Sequence, residues 1–546
     1  MSFLPSVPML ILCILCPPVV GGTDASEQNR PSGQPPNIIY VMADDMGLGD
    51  VKCFGKEKSL AQTPHIDRLA REGMMLTDAH APVAHCIPTR VAVMTGRYHF
   101  RFSRPHRSGP WGFIYPQFNR GHATLATMLK AAGYHTAYIG KWHLGLDMPT
   151  TDGRDQGPGN VDYSRPFSHG PNDHGFDESF ILPGSLDMYP YEFARNQKWL
   201  GKVNAQKGWS AFNRVGPAEQ DFEDYKVLDA FCRESEKYIA SRAGPKSPFF
   251  LYLALTAPHT PTSPSPKFRG RSRLGLYRDF LMETDHCLGR IVQSLEKHGL
   301  EGNTLVVFTS DHGAASYAGN LARATVGQYR EMQKMGHFSS GIYRGYKFSA
   351  YEGGTRIPLV VKFPGRIGAG SVCDRLVGLN DMMATFAEVA GAHMDRKQAT
   401  DSFSFASLFS RPTAPSARDF MICRSTNAFT VRQGDWKLLL CPGAGCHGKW
   451  GNSPARATAW KQAVAELGHR PLANEIRRPE FCQLFNLRED PAESNDLSTR
   501  HPERILEMGR LLDRVIANGR STPGPPLKND RRLDPLQDVP RFVLPR

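Results

Sequence analysis

Several stretches of the chain are continuous apolar runs with polar residues directly after them, a pattern typical of buried parallel strands. These runs begin at Asn37, Tyr134, Pro248, Leu305 and Leu359. Between them lie segments with apolar residues at helical spacing, such as the one from Leu276 that ends at Gly299. Strands that alternate with helices predict an α/β fold with a large mixed, mostly parallel sheet sandwiched by helices.

The pattern changes from about Asp419, where four short apolar runs predict a small antiparallel sheet. A helical segment follows from His501 to Asn518, and the last stretch is rich in proline and basic residues. We therefore expect a main domain at 37–415, a C-terminal subdomain at 416–520 and a poorly packed tail at 521–546.

The N-terminus carries a short apolar run, Met9–Leu15, followed by prolines and glycines. The run is too short to cross a bilayer and predicts a signal peptide at 1–22, before a polar linker at 23–36. No Lys or Arg precedes the run, so an N-terminal anchor or a wrongly assigned start is the alternative. Because no later segment is apolar for long enough, we expect a mature chain without a transmembrane segment, exported to a periplasmic, extracellular or lumenal compartment.

Acidic residues follow two of the predicted strands directly. Asp44 and Asp45 end the first run, and Asp311 with His312 ends the run from Leu305. Adjacent carboxylates repel each other unless a cation is present, and ligands of open α/β sheets bind at the carboxyl ends of strands. An Asx turn before Gly47 would explain one aspartate but not both.

Basic residues and histidines follow two more of these predicted strands. Lys141 and His143 come after the run from Tyr134, and they would point the same way if the strand continued. His259 lies between two prolines that stiffen its loop. The alternative is a solvated lysine and histidines that only pack.

One further segment carries chemistry, the run from His85 to Arg97. Pro88 suits the first turn of a helix and Gly96 its end, so Cys86 lies at a helix N-terminus that favours an anion. Arg90 lies one turn further along the same face. A structural cysteine in a helix cap is the alternative.

Taken together, these segments resemble the type I sulfatases, which have an alkaline phosphatase-like fold. The resemblance rests on Cys-x-Pro-Thr-Arg followed by Thr-Gly-Arg, on Lys-Trp-His-Leu-Gly, on Pro-His-x-Pro, and on the segment from Lys347 to Pro358. It spans roughly 37–496. Many members have Ser at the position of Thr89, and Asn at that of His312, where His is a recognised variant.

The resemblance implies that Cys86 is oxidised to formylglycine by a partner enzyme, and that its hydrate attacks the sulfur of a sulfate ester. It implies one Ca²⁺, with Mg²⁺ as the alternative, bound by Asp44, Asp45, Asp311, His312 and residue 86. His259, alone or with Lys347, would protonate the leaving alcohol, and His143 would take a proton from the remaining hydroxyl. The implied roles of the remaining cations are to bind sulfate, for Lys347, and to stabilise the hydrate, for Arg90 and Lys141.

The composition of the chain narrows the classes of molecule that it is expected to bind. The chain has 546 residues and a formal net charge of +13, with the excess spread along the sequence rather than gathered in one basic block. This favours an anionic small molecule or glycan over nucleic acid. Of the 11 cysteines, eight lie outside the signal and position 86, and only Cys441 and Cys446 are close enough in sequence to suggest a local disulfide.

Three functions remain open from sequence. The first is hydrolysis of a sulfated carbohydrate or an aryl sulfate. The second is a phosphoric ester hydrolase of the same superfamily, although those sites usually have Ser or Thr as nucleophile. The third is a non-catalytic binder of sulfated glycans, in which the cysteine stays unmodified.

Overall fold

The structure is a computed structural model that describes Met1 and residues 34–103, 111–208, 214–318, 328–446 and 481–533, with single gaps at 245, 396, 427, 442 and 532. The chain divides into two compact units, Met1–Gly33 and Gln34–Arg546. The predicted signal peptide and most of the predicted linker lie outside the described residues, so both stay predictions.

The strands of the second unit are numbered here in chain order. β1 to β9 are Asn37–Asp44, Met74–Leu76, Ala79–His80, His135–Lys141, Glu178–Leu182, Ala194–Arg195, Lys198–Trp199, Val203–Lys207 and Gly216–Glu219. β10 to β18 are Phe249–Pro258, Thr304–Ser310, Leu359–Lys362, Ser371–Cys373, Val377–Gly378, Phe420–Arg424, Phe429–Gln433, Trp436–Leu439 and Gln483–Asn486.

A ten-stranded sheet forms the centre of this unit, in the order β13-β2-β12-β11-β1-β10-β4-β5-β6-β7. The five middle strands, from β11 to β5, are parallel to one another, whereas β12 and β6, which flank them, run antiparallel to them. Strands β1, β10 and β11 are buried along almost their whole length, as their apolar runs predict. The predicted mixed, mostly parallel sheet is confirmed.

The helices, also numbered in chain order, are α1 to α10. They span Lys52–Gly55, Pro64–Glu72, Cys86–Thr95, Leu125–Ala131, Val227–Ser241, Leu276–Lys297, Gln328–Lys334, Glu352–Thr355, Met382–Ala390 and Pro502–Ala517. Helix α6 contacts both α2 and α5, and α3, α4 and α9 contact one another, which gives the central sheet two groups of covering helices. No helix within the described ranges has the length and apolarity that a membrane span needs.

The predicted small antiparallel sheet is also confirmed, as the four strands β15-β16-β17-β18. One face packs on α10 through Ile422, Leu438, Leu484 and Leu512. Its other face meets Tyr351, just before α8, in a second apolar cluster with Leu439 and Phe485. The sheet therefore rests directly on the segment that carries Lys347.

In the described part of the predicted tail, up to residue 533, no described residue is buried, but several make polar contacts with the main domain. Asp530 pairs with Arg97 at 3.2 Å, Asn529 accepts a hydrogen bond from Arg101 at 2.9 Å, and Ser521 donates to Asp401 at 2.7 Å. Arg97 and Arg101 are both buried and need oxygen partners, which the polar residues of the tail supply. Residues 534–546 lie outside the described ranges.

The suggested disulfide between Cys441 and Cys446 is not formed. Cys441 is a buried thiol whose Sγ donates to the carbonyl of Gly443 at 3.3 Å.

Candidate active site

Four neighbouring strands end at the same edge of the central sheet. Because β11, β1, β10 and β4 are adjacent and parallel, their carboxyl ends bring together residues that are far apart in sequence. These ends carry Asp44 and Asp45, Lys141 and His143, His259, and Asp311 and His312. All seven are buried.

Helix α3 brings Cys86 to this edge. His85 is its N-cap and Cys86 its first residue, and the helix ends at Gly96, which has φ of 63°. Glycine suits that end because a left-handed conformation is strained for residues with a Cβ. Cys86 Sγ lies 3.2 Å from Nε2 of His312 and 3.7 Å from Oδ1 of Asp44.

Three cationic side chains bind the carboxylates of the site. Arg90 Nη2 lies 3.1 Å from Asp311 Oδ2 and 3.6 Å from Asp44 Oδ1. Lys141 pairs with the other oxygen of Asp44. Lys347, from the loop before α8, donates to Asp45 Oδ1 at 2.7 Å.

Carboxylate oxygens and one ring nitrogen converge beside these cationic side chains. The Nδ1–H of His312 donates to the carbonyl of Gly313 at 2.9 Å, so Nε2 presents a lone pair. That lone pair faces Oδ1 of Asp45 at 3.3 Å and Oδ1 of Asp311 at 3.6 Å. Asp45 Oδ2 has no hydrogen-bond partner among the described residues. Lone pairs that face one another without a proton between them are the arrangement that a cation stabilises.

The pKa values reflect this crowding. Burial and the neighbouring charge of Asp44 raise the pKa of Asp311 to about 7. Burial also opposes ionisation of Asp44, but Lys141, His259 and Arg90 outweigh it and hold its pKa well below the usual range. At neutral pH, Asp44 is therefore fully charged, whereas Asp311 has a pKa close to the pH and is only partly ionised.

Near its carboxyl end, the backbone of β4 lies very close to the backbone of β10. Gly140 has φ of 125°, and a Cβ there would lie 1.9 Å from the carbonyl oxygen of Ala254 on β10. The strand ends at Lys141 and His143 takes φ of 52°, so the alternation expected for a continued strand does not apply. His143 is nevertheless buried, and its pKa is well below the usual value because of burial and the charges of Lys141 and Arg90.

His259 lies between Asp45 and a second carboxylate. Its Nδ1–H donates to the carbonyl of Thr260 at 2.5 Å, and its Nε2 lies 3.7 Å from Asp45 Oδ2. On the Nδ1 side, Oδ1 of Asp187 is 4.0 Å away. All the residues that the sequence singles out are therefore within one buried cluster.

Comparison with known proteins identifies the family. The Sulfatase family model matches residues 36–392. The chain belongs to the sulfatase family. An N-acetylgalactosamine-6-O-sulfatase of Bacteroides thetaiotaomicron is 30% identical over 94% of the chain and 98% of its own length. Mouse steryl-sulfatase is 30% identical over 94% of the chain and 85% of its own.

Solved structures agree with the family. One from Bacteroides thetaiotaomicron, described under the metabolism of multiple glycosaminoglycans, has a TM-score of 0.73 and 28% identity, and covers 88% of this chain and 99% of that one. This sulfatase is accordingly an enzyme that hydrolyses sulfate esters, with the alkaline phosphatase-like fold.

Sequence reasoning missed three residues of the sulfatase site. His85 packs on Phe348 with ring centroids 5.2 Å apart, and burial and Lys347 lower its pKa to about 3. Tyr317 lies with its ring 5.7 Å from Lys347 Nζ. Asp187 comes from the stretch after β5, which the sequence marks as a loop over the site with a part in substrate choice, without singling out this residue. A weak indication exists, because Asp187 follows β5, which is parallel to β4 and therefore ends at the same edge of the sheet.

The sulfatase also has a second buried acidic cluster, which we call the clasp: Asp78, His80, Glu352, Arg356, Arg432, Lys437 and Glu493. Arg356 binds Asp78 at 2.9 Å and Glu352 at 2.8 Å. Lys437, on β17, binds Glu352 at 2.9 Å and Glu493 at 3.0 Å. Every carboxylate oxygen of Asp78 and Glu352 has a cationic partner or His80. The clasp thus ties the small sheet to α8 by ion pairs.

Proposed function

We propose that this sulfatase hydrolyses a sulfate monoester of a carbohydrate, with a formylglycine at position 86 and one bound Ca²⁺. The observation that carries the proposal is the convergence of lone pairs from Asp45, Asp311 and His312 beside Cys86. Relatives named for N-acetylgalactosamine 6-sulfate, which span nearly the whole chain, favour that sugar ester as the first substrate to test.

The donor set fits a hard divalent cation. Asp44, Asp45 and Asp311 supply carboxylate oxygens, His312 supplies a neutral nitrogen, and Asp45 Oδ2 lacks any other partner among the described residues. Oxygen-rich sets of this kind suit Ca²⁺, and Mg²⁺ is the alternative. When bound, the ion would withdraw charge from the sulfate oxygens.

The state of Cys86 supports oxidation rather than a thiolate nucleophile. Burial raises the pKa of the thiol well above its usual value, and the nearby Lys347 and Lys141 do not reverse this. An unmodified Cys86 would therefore be almost wholly protonated at neutral pH and a poor nucleophile. A formylglycine hydrate in its place would supply a hydroxyl for attack on sulfur.

Two histidines are arranged for two opposite proton transfers. His259 keeps its Nδ1–H on the Thr260 carbonyl, which leaves Nε2 to deliver a proton to the departing alcohol oxygen. His143 is neutral, and neither ring nitrogen has a hydrogen-bond partner among the described residues. It is therefore suited to accept a proton from the hydroxyl at position 86.

The cations complete the site. Lys347 stays protonated because the carboxylate of Asp45 raises its pKa, although burial opposes this. Its ammonium group can shift between Asp45 and a sulfate oxygen. Arg90 and Lys141 lie on the side of Asp44 and Cys86, where they would offset negative charge that develops at position 86.

The decisive test is Cys86→Ala. We expect turnover of N-acetylgalactosamine 6-sulfate to fall by at least ~10³-fold, because the attacking group is removed. Thermal unfolding should be nearly unchanged. Cys373→Ala, which removes another buried thiol on the outermost strand β13, is the matched control and should keep its activity.

The mass of the tryptic peptide Glu72–Arg90 from an exported sample checks the modification itself. An aldehyde in place of the thiol supports the enzyme mechanism. An intact thiol without activity would favour the non-catalytic glycan binder, and full activity of Cys86→Ala would refute the assignment. Export itself remains a prediction.

A further inference from the structure

Asp187 is a buried carboxylate at the edge of the site that the proposed mechanism does not use. It is 4% exposed, and it follows β5, the strand next to β4 on the same edge of the sheet. Its Oδ1 has no hydrogen-bond partner among the described residues. A buried carboxylate oxygen without a donor is costly, so its orientation needs a reason.

The orientation is fixed by Arg214. One guanidinium nitrogen, Nη1, donates to the backbone carbonyl of Asp187 at 2.7 Å and to its Oδ2 at 2.9 Å. This two-point contact holds the carboxylate plane and leaves Oδ1 facing His259. The turn that carries Asp187 is closed by a hydrogen bond from the Met188 N–H to the Ser185 carbonyl at 3.1 Å.

His259 does not supply the missing donor. Its Nδ1, the ring atom nearest to Asp187 at 4.0 Å, already donates its proton to the Thr260 carbonyl at 2.5 Å. The other nitrogen faces Asp45. Oδ1 of Asp187 thus lies beside the ring of the proposed general acid, on its Nδ1 side, with a lone pair that no described residue uses.

We propose that Asp187 Oδ1 accepts a hydrogen bond from a free hydroxyl of the sulfated sugar, close to the carbon that carries the sulfate. This inference rests on the proposed function and specifies its substrate class. It makes the site selective for sulfated pyranosides over sulfate esters of phenols, which have no such hydroxyl to offer. A site built to bind a hydroxyl discriminates strongly, because its own polar group stays unpaired with the wrong substrate.

The test compares Asp187→Ala and Asp187→Asn with wild type on N-acetylgalactosamine 6-sulfate and on 4-nitrophenyl sulfate. We expect kcat/KM for the sugar to fall by about 10- to 150-fold, as for a hydrogen bond to a charged group, and that for the phenol ester to stay within about twofold. Asn should keep at most part of the wild-type kcat/KM, because Arg214 will take the amide oxygen and turn toward the sugar an NH₂ group that can donate to the hydroxyl but cannot accept from it.

Two controls sharpen this test. Asp177→Asn makes the same charge change at the opposite end of β5, where the carboxylate binds Thr136, and should alter neither activity. Monodeoxy analogues of the sugar test the contact directly. Removing the recognised hydroxyl should reduce wild-type kcat/KM by the same factor as Asp187→Ala, and should cost the variant nothing further.

Equal losses on both substrates would overturn the inference, since Asp187 would then act through His259 or the fold. Unchanged kinetics on both would overturn it too. Wild-type protein that hydrolyses none of these sulfate esters would instead overturn the proposed function, so the two failures are distinguishable.

Discussion

The site cluster and the clasp are built from the same kinds of side chain but differ in how their charges are paired. Both are buried, and both hold carboxylates and a histidine close enough to ligate a cation. In the clasp, Arg356 and Lys437 reach both oxygens of Glu352. In the site cluster, Asp45 Oδ2 and both ring nitrogens of His143 are left over.

The difference teaches that proximity of acidic residues does not by itself indicate a metal site. What matters is whether the protein's own cations complete the pairing. The pKa values do not separate the clusters, because each holds one carboxylate with a pKa well below its usual range, Glu352 or Asp44. Each also holds one with a pKa raised to about 7, Glu493 or Asp311, so the distinction rests on the pairing of Asp78, Glu352 and Asp45. The clasp is thus suited to stability and the site cluster to binding.

The largest expected effect in this comparison is on stability. Glu352→Gln should lower the free energy of unfolding by about 3 kcal/mol, because Lys437 and Arg356 are left as buried, incompletely paired charges. Glu296→Gln, at the exposed pair with Arg68, is the control and should cost about 0.5 kcal/mol or less. Urea unfolding measures both. Similar costs for the two variants would show that the clasp is no stronger than a surface pair.

The next effect separates the two clusters by their response to calcium. At Ca²⁺ about 100 times above its dissociation constant, wild type should gain about 2.7 kcal/mol over protein treated with a chelator. Asp45→Asn should abolish this gain, whereas Asp78→Asn should lower stability yet keep it. Thermal unfolding with and without Ca²⁺ is the measurement, and a gain lost equally in both variants would contradict the distinction.

The smallest effect is on acid stability. Burial alone would raise the pKa of Asp78, but Arg356, His80 and Arg432 hold it below its usual range, as Lys437 does most strongly for Glu352. Both groups therefore stabilise the fold above about pH 4, the value in the unfolded chain, and this contribution is lost as the pH falls further. Glu493 acts in the opposite sense, since burial and Glu352 raise its pKa to about 7 despite Lys437.

The double variant Asp78→Asn/Glu352→Gln isolates that acid dependence. Its unfolding free energy should change less between pH 5 and pH 3 than that of wild type, in chelator-treated protein. If the unfolding free energies of the two proteins fell in parallel with pH, other carboxylates would dominate the loss of stability in acid.

Much of the fold follows from sequence because continuous apolar runs have few structural alternatives. The strands that carry Asp44, Lys141, His259 and Asp311 are found where their runs predict them. The order of these strands in the sheet cannot be predicted from any single run, because each strand pairs with partners that are distant in sequence. Family motifs, rather than periodicity, led to Lys347, which reaches the site from a loop.

The other features of the site and of the clasp could not be predicted from the sequence, for a physical reason. His143 leaves the strand with φ of 52°, a local turn that the alternating pattern does not encode. Asp187 acquires its orientation from Arg214, 27 residues later, and Asp78 meets Arg432 across 354 residues. Such polar pairings depend on three-dimensional register, which a linear pattern of apolar and polar residues does not specify.

The four strand ends that form the site are spread from residue 44 to residue 312, and one of them comes from each of four separate β–α passages of the chain. No contiguous fragment shorter than 44–312 and no half-assembled sheet can hold the complete set of these strand-end groups. Turnover is consequently an all-or-none reporter of finished folding for this molecule. A cleaved or circularly permuted chain will regain it only when every one of those passages has docked.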